Sequence, residues 1–113
     1  MDELFTKLEE YGADIEGIKG RFLGDKELYK NCFNTFLSDK SFAGLGESLK
    51  SKDYQKAFEY AHTLKGITGN MGITPLYEAV CTLVEKLRAK EYNKLEQDYE
   101  QIMKWFEKLK TLQ

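Results

Sequence analysis

One histidine stands in a chain of 113 residues, and the sequence that follows it is unusual for a helix. Ala61-His62-Thr63-Leu64-Lys65-Gly66 runs on into Ile67-Thr68-Gly69-Asn70-Met71-Gly72, which places three glycines three residues apart. Neutral imidazole is a nucleophile, and an ordinary imidazole is largely neutral near pH 7. On a helix the ammonium of Lys65 lies beside a ring three residues earlier. It would pair with any anionic group that the ring acquired. An exposed histidine, a neighbouring lysine and an unobstructed approach together suit a nucleophile that accepts a phosphoryl group.

The glycines raise a second question. In a helix interior each costs about 0.8–1 kcal/mol relative to alanine, so Gly66 and Gly69 together forgo roughly 1.6–2 kcal/mol. That is appreciable against total stabilities of about 5–15 kcal/mol. Gly72 is placed to end the helix. For the other two, either a neighbouring helix packs on bare backbone or an outside surface must come close to His62. Spacing alone leaves both open, and Gly69 stands between them. At 100° per residue from Asp53, Ala61, Leu64 and Thr68 face a core. His62, Gly66, Gly69 and Ile73 follow one adjacent face, with Gln55 and Glu59 a turn or two earlier and Lys65 at the flank. Gln55 and Glu59 are therefore candidates for a partner surface.

Other chemistries fit the residues poorly. Glu59-Tyr60-Ala61-His62 has the Glu-x-x-His spacing of di-iron bundles, but such a site needs a second pair and two more inward carboxylates. The chain has one histidine, placed off the apolar seam, so no metal site is expected. Gly44-Leu45-Gly46 begins like a dinucleotide fingerprint, yet Leu49 stands where the third glycine belongs. Gly12 and Gly17 have the outer spacing of a phosphate loop, but Ile18 stands where lysine is required. Nothing suggests a nucleotide site, and no resident cofactor is expected.

The elements that must hold His62 are helical. Tyr54, Ala57, Ala61, Leu64, Thr68 and Met71 alternate spacings of three and four, with Phe58 and Ile67 beside them. Leu76, Val80, Leu83 and Leu87 repeat the pattern, as do Leu95, Tyr99, Ile102, Phe106 and Leu109. Leu28, Cys32, Thr35 and Phe36 do so more weakly, flanked by Tyr29 and Phe33. Asp53 is placed to cap the histidine-bearing helix, and Thr74-Pro75 offers a cap followed by proline at the first helical position. Asn93 and Glu96 resemble a capping box. The spacing predicts helices near 2–11, 25–38, 41–51, 53–71, 75–89 and 93–111. The glycine-rich stretch 12–24 reads as a short helix or loop over one end. Short connections make consecutive helices antiparallel neighbours. The fold expected is all-α, an antiparallel up-and-down four-helix bundle built on the four longest seams, with additional N-terminal helices.

Bulk properties narrow the function classes. A length of 113 residues supports one core. A formal charge of -2 with basic and acidic residues interleaved gives no footprint for nucleic acid or anionic lipid. No apolar run approaches the roughly 20 residues that cross a bilayer, and the acidic, amphipathic start is not a secretory signal. Cys32 and Cys81 sit in apolar helical patterns and read as free thiols. A cytoplasmic monomer without nucleic-acid or membrane contacts fits these features.

His62-Thr63-Leu64-Lys65-Gly66, preceded by Ala61 and followed by Asn70-Met71-Gly72, resembles the histidine-phosphotransfer (HPt) domains of bacterial two-component phosphorelays. Gly24-Asp25-Lys26-Glu27-Leu28-Tyr29 followed by Phe36, the run Ala57 to Gly72, and Leu76, Cys81 and Leu83 extend the likeness over residues 12–90. The resemblance implies one HPt-like domain, with residues 1–24 as an N-terminal cap and 25–113 as the bundle. It implies a phosphocarrier rather than an enzyme. His62 would take a phosphoryl group from an aspartyl-phosphate on one receiver domain and pass it to the aspartate of another. Lys65 would neutralise the phosphoryl oxygens, and Gly66, with Gly69, would leave room for the partner.

The implied partners are response-regulator receiver domains and a hybrid histidine kinase, with Mg²⁺ held by the receiver. Ile67 stands where the family often has a small residue. Leu83-Val84 stands where Leu-Glu is frequent, with Glu85 one residue on. Arg88, late on the following helix, is a candidate to reach the phosphoryl site. The alternative is a helical scaffold that binds receiver or kinase domains without being phosphorylated.

Overall fold

Three aspartates start helices, and a computed structural model describing residues 3–113 shows how. The elements are α1 (Glu3–Tyr11), α2 (Ile15–Arg21), α3 (Lys26–Leu37), α4 (Ser41–Lys50), α5 (Tyr54–Met71), α6 (Thr74–Arg88) and α7 (Leu95–Lys110). Asp14, Asp25 and Asp53 each accept a hydrogen bond from the backbone N–H three residues on, satisfying a donor that the helix itself leaves free. Position 2 of the first expected helix lies outside the described residues. The stretch 12–24 contributes the short helix α2. Among the described residues there is no strand.

Two start signals are corrected. The residue before α6 is Ile73, not Thr74, so Thr74 is already helical and Pro75 lies in the first turn. The Asn93–Glu96 capping box does not form. Lys94 takes a left-handed conformation (φ 60°) ahead of α7 and offers no side-chain cap. The chain turns sharply there, which carries Asn93 out of register with the helix start.

The helices form a bundle in which α4 packs on α5, α5 on α6, α6 on α7, and α7 back on α4. The fourth member of this ring is thus the ten-residue α4 rather than the longer α3. Bare backbone makes this possible. A methyl group at Gly44 would lie 2.5 Å from the ring of Tyr60 on α5, and one at Gly46 would lie 2.5 Å from the hydroxyl of Tyr99 on α7. The glycines that begin like a nucleotide fingerprint are therefore packing sites for two tyrosines. Tyr99 also donates to the carbonyl of Phe42 at 3.0 Å, tying α7 to α4.

The expected seams of α5, α6 and α7 are buried: Ala57, Ala61, Leu64, Thr68 and Met71; Leu76, Val80, Leu83 and Leu87; Leu95, Ile102, Phe106 and Leu109. Each large aliphatic side chain so buried contributes about 1.5–3 kcal/mol. Thr68 satisfies its hydroxyl by donating to the Leu64 carbonyl at 2.8 Å. In α3 the inward face is one residue out of phase with expectation. Tyr29, Phe33, Phe36 and Leu37 are buried, whereas Leu28 is 48% exposed. The ring of Tyr29 sets this phase, because it packs between Phe5 at 5.4 Å and Phe22 at 5.0 Å. Phe36 meets Phe42 and Phe106 and so joins α3 to the bundle core.

The N-terminal helices close the end of the bundle where α5 stops. A helix leaves its last carbonyls without intrahelical donors, and here they are met from outside. Gly72, left-handed at φ 70°, directs its N–H to Gly69 and Thr68. Arg21 Nε donates to the Asn70 carbonyl at 2.8 Å, Tyr29 to that of Met71 at 2.8 Å, and the Asp14 N–H to that of Gly72 at 2.8 Å. The helix that carries His62 is thereby fastened at its far end.

Candidate functional site

Asp53 fixes where α5 begins, and its buried stripe fixes which way His62 points. Ala61 and Leu64 are fully buried while His62 and Thr63 between them are exposed. The imidazole is therefore on the outside of the bundle. One turn earlier the half-buried Phe58 lies parallel to it, with ring centroids 5.8 Å apart and planes within 5°. The guanidinium of Arg88 on α6 lies 5.7 Å from the centroid of the same phenyl ring. Arg88 Nη1 also donates to Glu85 Oε1 at 2.8 Å. A turn before Phe58, Tyr54 stacks on Tyr92 at 3.9 Å. Tyr54, Phe58 and His62 thus form a row along α5, edged by Arg88 and Tyr92 from the α6 side.

The remaining candidates divide. Lys65 is half-buried, and Gln55 and Glu59 are exposed. A methyl group at Gly66 would meet no neighbouring atom within 4 Å, so the surface one turn beyond the imidazole is clear. At Gly69 the same methyl would lie 3.1 Å from the ring of Tyr77. Bare backbone there admits an α6 side chain, which supports the packing side of the two readings that spacing leaves open for Gly69. Ile73 also leaves the His62 face. It is fully buried, because the helix ends at Met71 and Gly72 turns the chain inward.

Two residues that touch the candidates were not evident from spacing. Tyr77 lies against Gly69, and a hydrogen bond with Cys81 one turn on pushes its hydroxyl above the usual phenol range. Phe58, by spacing a flank of the apolar seam, contacts both His62 and Arg88. A cleft of about 310 Å³ lined by Phe5, Ile18, Phe22 and Tyr29 lies among α1–α3 and contains none of these groups. The imidazole is exposed on the outside of the bundle, which suits a macromolecular partner better than an enclosed small molecule.

A family model described as "Hpt domain" matches residues 37–112. The chain belongs to the Hpt domain family. The match takes in α4 to α7 and leaves α1 and α2, and α3 apart from its last residue, outside. It starts later and runs further than the likeness read from the sequence. Hpt domains are phosphotransfer carriers of two-component systems, without an ATP site of their own, and they interact with receiver domains or histidine kinases. Among curated proteins and solved structures, no significant match to this Hpt domain is found. No helix among the described residues is long and apolar enough to cross a membrane.

Proposed function

We propose that this Hpt domain is a phosphorelay intermediate in which His62 accepts a phosphoryl group from a receiver's aspartyl-phosphate and returns it to another receiver's aspartate. The ring nitrogen without hydrogen attacks phosphorus. A P–N bond forms as the acyl phosphate P–O bond breaks, and the aspartate carboxylate leaves with the electron pair. The proton on the other ring nitrogen is then free to pass to solvent. Return transfer reverses these bond changes. The observation that carries this reading is the solvent-exposed imidazole of His62 beside the open surface over Gly66.

Lys65, three residues on, supplies an ammonium to the phosphoryl oxygens, and Gln55 and Glu59 border the receiver's footprint. Magnesium belongs to the receiver, where it offsets phosphoryl charge. The reading takes the protein as a cytoplasmic monomer, consistent with apolar seams buried within a single chain. The test is to incubate the protein with a receiver carrying radiolabelled phosphoryl and follow label onto His62. Label on His62 that chases into a second receiver supports the relay. Stable binding to receivers without label transfer would establish the scaffold reading instead.

A further inference from the structure

The cleft of about 310 Å³ among α1–α3 is built from residues before position 37, where the match to the family model begins. Its wall is apolar, formed by Phe5, Ile15, Ile18, Phe22 and Tyr29. Its rim is charged, with Lys19, Asp25 and Lys26 exposed. We propose that this cleft binds a small apolar carboxylate, with its hydrocarbon part among the rings and its carboxylate at the Lys19 and Lys26 ammoniums. The site is separate from His62 and does not depend on phosphoryl transfer.

Size, charge and access select this occupant. Pockets for organic ligands hold about 300–1,000 Å³ and pair an apolar lining with a few polar groups, so this cleft suits a small one. Among the described residues that line it, the charges are two ammoniums and one carboxylate. The Asp25 carboxylate is turned to its own helix, where Oδ1 accepts from the Leu28 N–H at 3.0 Å. The Lys26 ammonium lies 5.9 Å from the centroid of the Phe5 ring, over the apolar wall. Lys19 meets Glu16 only at 3.9 Å, and both side chains are exposed, so water screens the pair. An anionic head therefore has two cations to meet. A methyl group at Gly24 would find no neighbouring atom within 4 Å, so that edge of the mouth is open.

The occupant bears on α5 as well. Ile18 lies against Gly72, where an added methyl would come within 2.6 Å of its Cγ1, and the Tyr29 hydroxyl holds the Met71 carbonyl. A ligand packed on Ile18 and Tyr29 stabilises the folded N-terminal cap by mass action, and with it the last turn of the helix that carries His62.

The test titrates octanoate, below its micellar range, into the full ¹⁵N-labelled chain. Saturable shifts are expected in the amides of α2 and the start of α3. Hexanoate, two methylenes shorter, binds about tenfold more weakly, and octanol binds more weakly than octanoate. Lys26→Glu weakens octanoate by about tenfold. An acidic side chain in the first turn suits the dipole of α3, so this variant keeps or gains melting temperature, which separates lost binding from lost fold. At ten times the dissociation constant of octanoate, exchange of the Asp14 N–H that bonds the Gly72 carbonyl slows by about tenfold; unaltered exchange overturns the coupling to α5. Absence of shifts at millimolar octanoate, shifts spread over α4–α7, equal binding of octanol, or undiminished binding in Lys26→Glu overturns the site. Leu23, 91% exposed between the lining residues Phe22 and Gly24, supplies the rival occupant. The same shifts on concentrating the chain alone would seat a second copy in the cleft and overturn the carboxylate.

Discussion

The hydroxyl of Tyr29 donates to the Met71 carbonyl across 2.8 Å of buried interior, joining a residue that precedes the matched Hpt segment to the end of the helix that carries His62. Burial pushes the Tyr29 hydroxyl well above the ordinary phenol range around 10. Replacing it by Phe leaves the carbonyl unsatisfied and is expected to cost about 1–3 kcal/mol. The pH dependence follows in sign. Above about pH 10 the unfolded chain loses this proton while the folded chain keeps it, so stability falls as pH rises through that range. Tyr29→Phe should lower stability at pH 7 and make its alkaline decline shallower. Urea unfolding at pH 7, 9 and 10.5 checks both.

His62 is exposed, and its ring lies parallel to that of Phe58. His62→Gln should abolish phosphoryl acceptance while moving the melting temperature by no more than about 2 °C, the scale of ordinary surface changes. A larger drop would mean that the imidazole supports the bundle.

Glycine to alanine should have opposite signs at positions that look alike in the sequence. Gly66→Ala meets open space and should gain about 0.8–1 kcal/mol of helix propensity. Gly46→Ala has the same propensity gain but pushes the Tyr99 hydroxyl off the Phe42 carbonyl, and overpacking of about 1–3 kcal/mol should outweigh it. Gly69→Ala, against Tyr77, should fall between them. Thermal melts order the three. Phosphotransfer from a receiver should slow in Gly66→Leu while that variant remains folded.

Lys65→Ala tests the ammonium three residues after His62. Losing one charge-assisted bond to the phosphoryl group should slow transfer from a phosphorylated receiver by about ten- to a hundredfold, with little change in melting temperature. Lys65→Arg should recover part of the rate. Equal rates in Lys65→Ala and wild type would remove Lys65 from the site.

The sequence made local periodicity legible and left contacts between helices hidden. The inward stripe of α5 follows from spacings of three and four, and the exposure of His62 follows from the same register. The Asp53 cap and the Gly72 stop follow from backbone donors and left-handed geometry, which those residue types serve. In α3 aromatic residues occupy neighbouring positions, so period alone could not decide between Leu28 and Tyr29; contacts with Phe5 and Phe22 decide it. Gly69 lies against Tyr77 of the next helix, and Arg88 of that helix lies over Phe58. No spacing within one helix carries that information.

The fastening of the α5 carbonyls by Arg21, Tyr29 and Asp14 bears on how small a working carrier can be. The segment that matches the family model contains His62, yet three of the donors that finish its helix are supplied by residues before that segment. A chain trimmed to 37–112 would leave the Asn70, Met71 and Gly72 carbonyls without these donors and remove Ile18 from beside Gly72. Amide exchange should then quicken first in the last turn of α5 and spread toward Leu64. The stretch recognisable by descent is therefore shorter than the stretch that completes the hydrogen bonds at the end of α5.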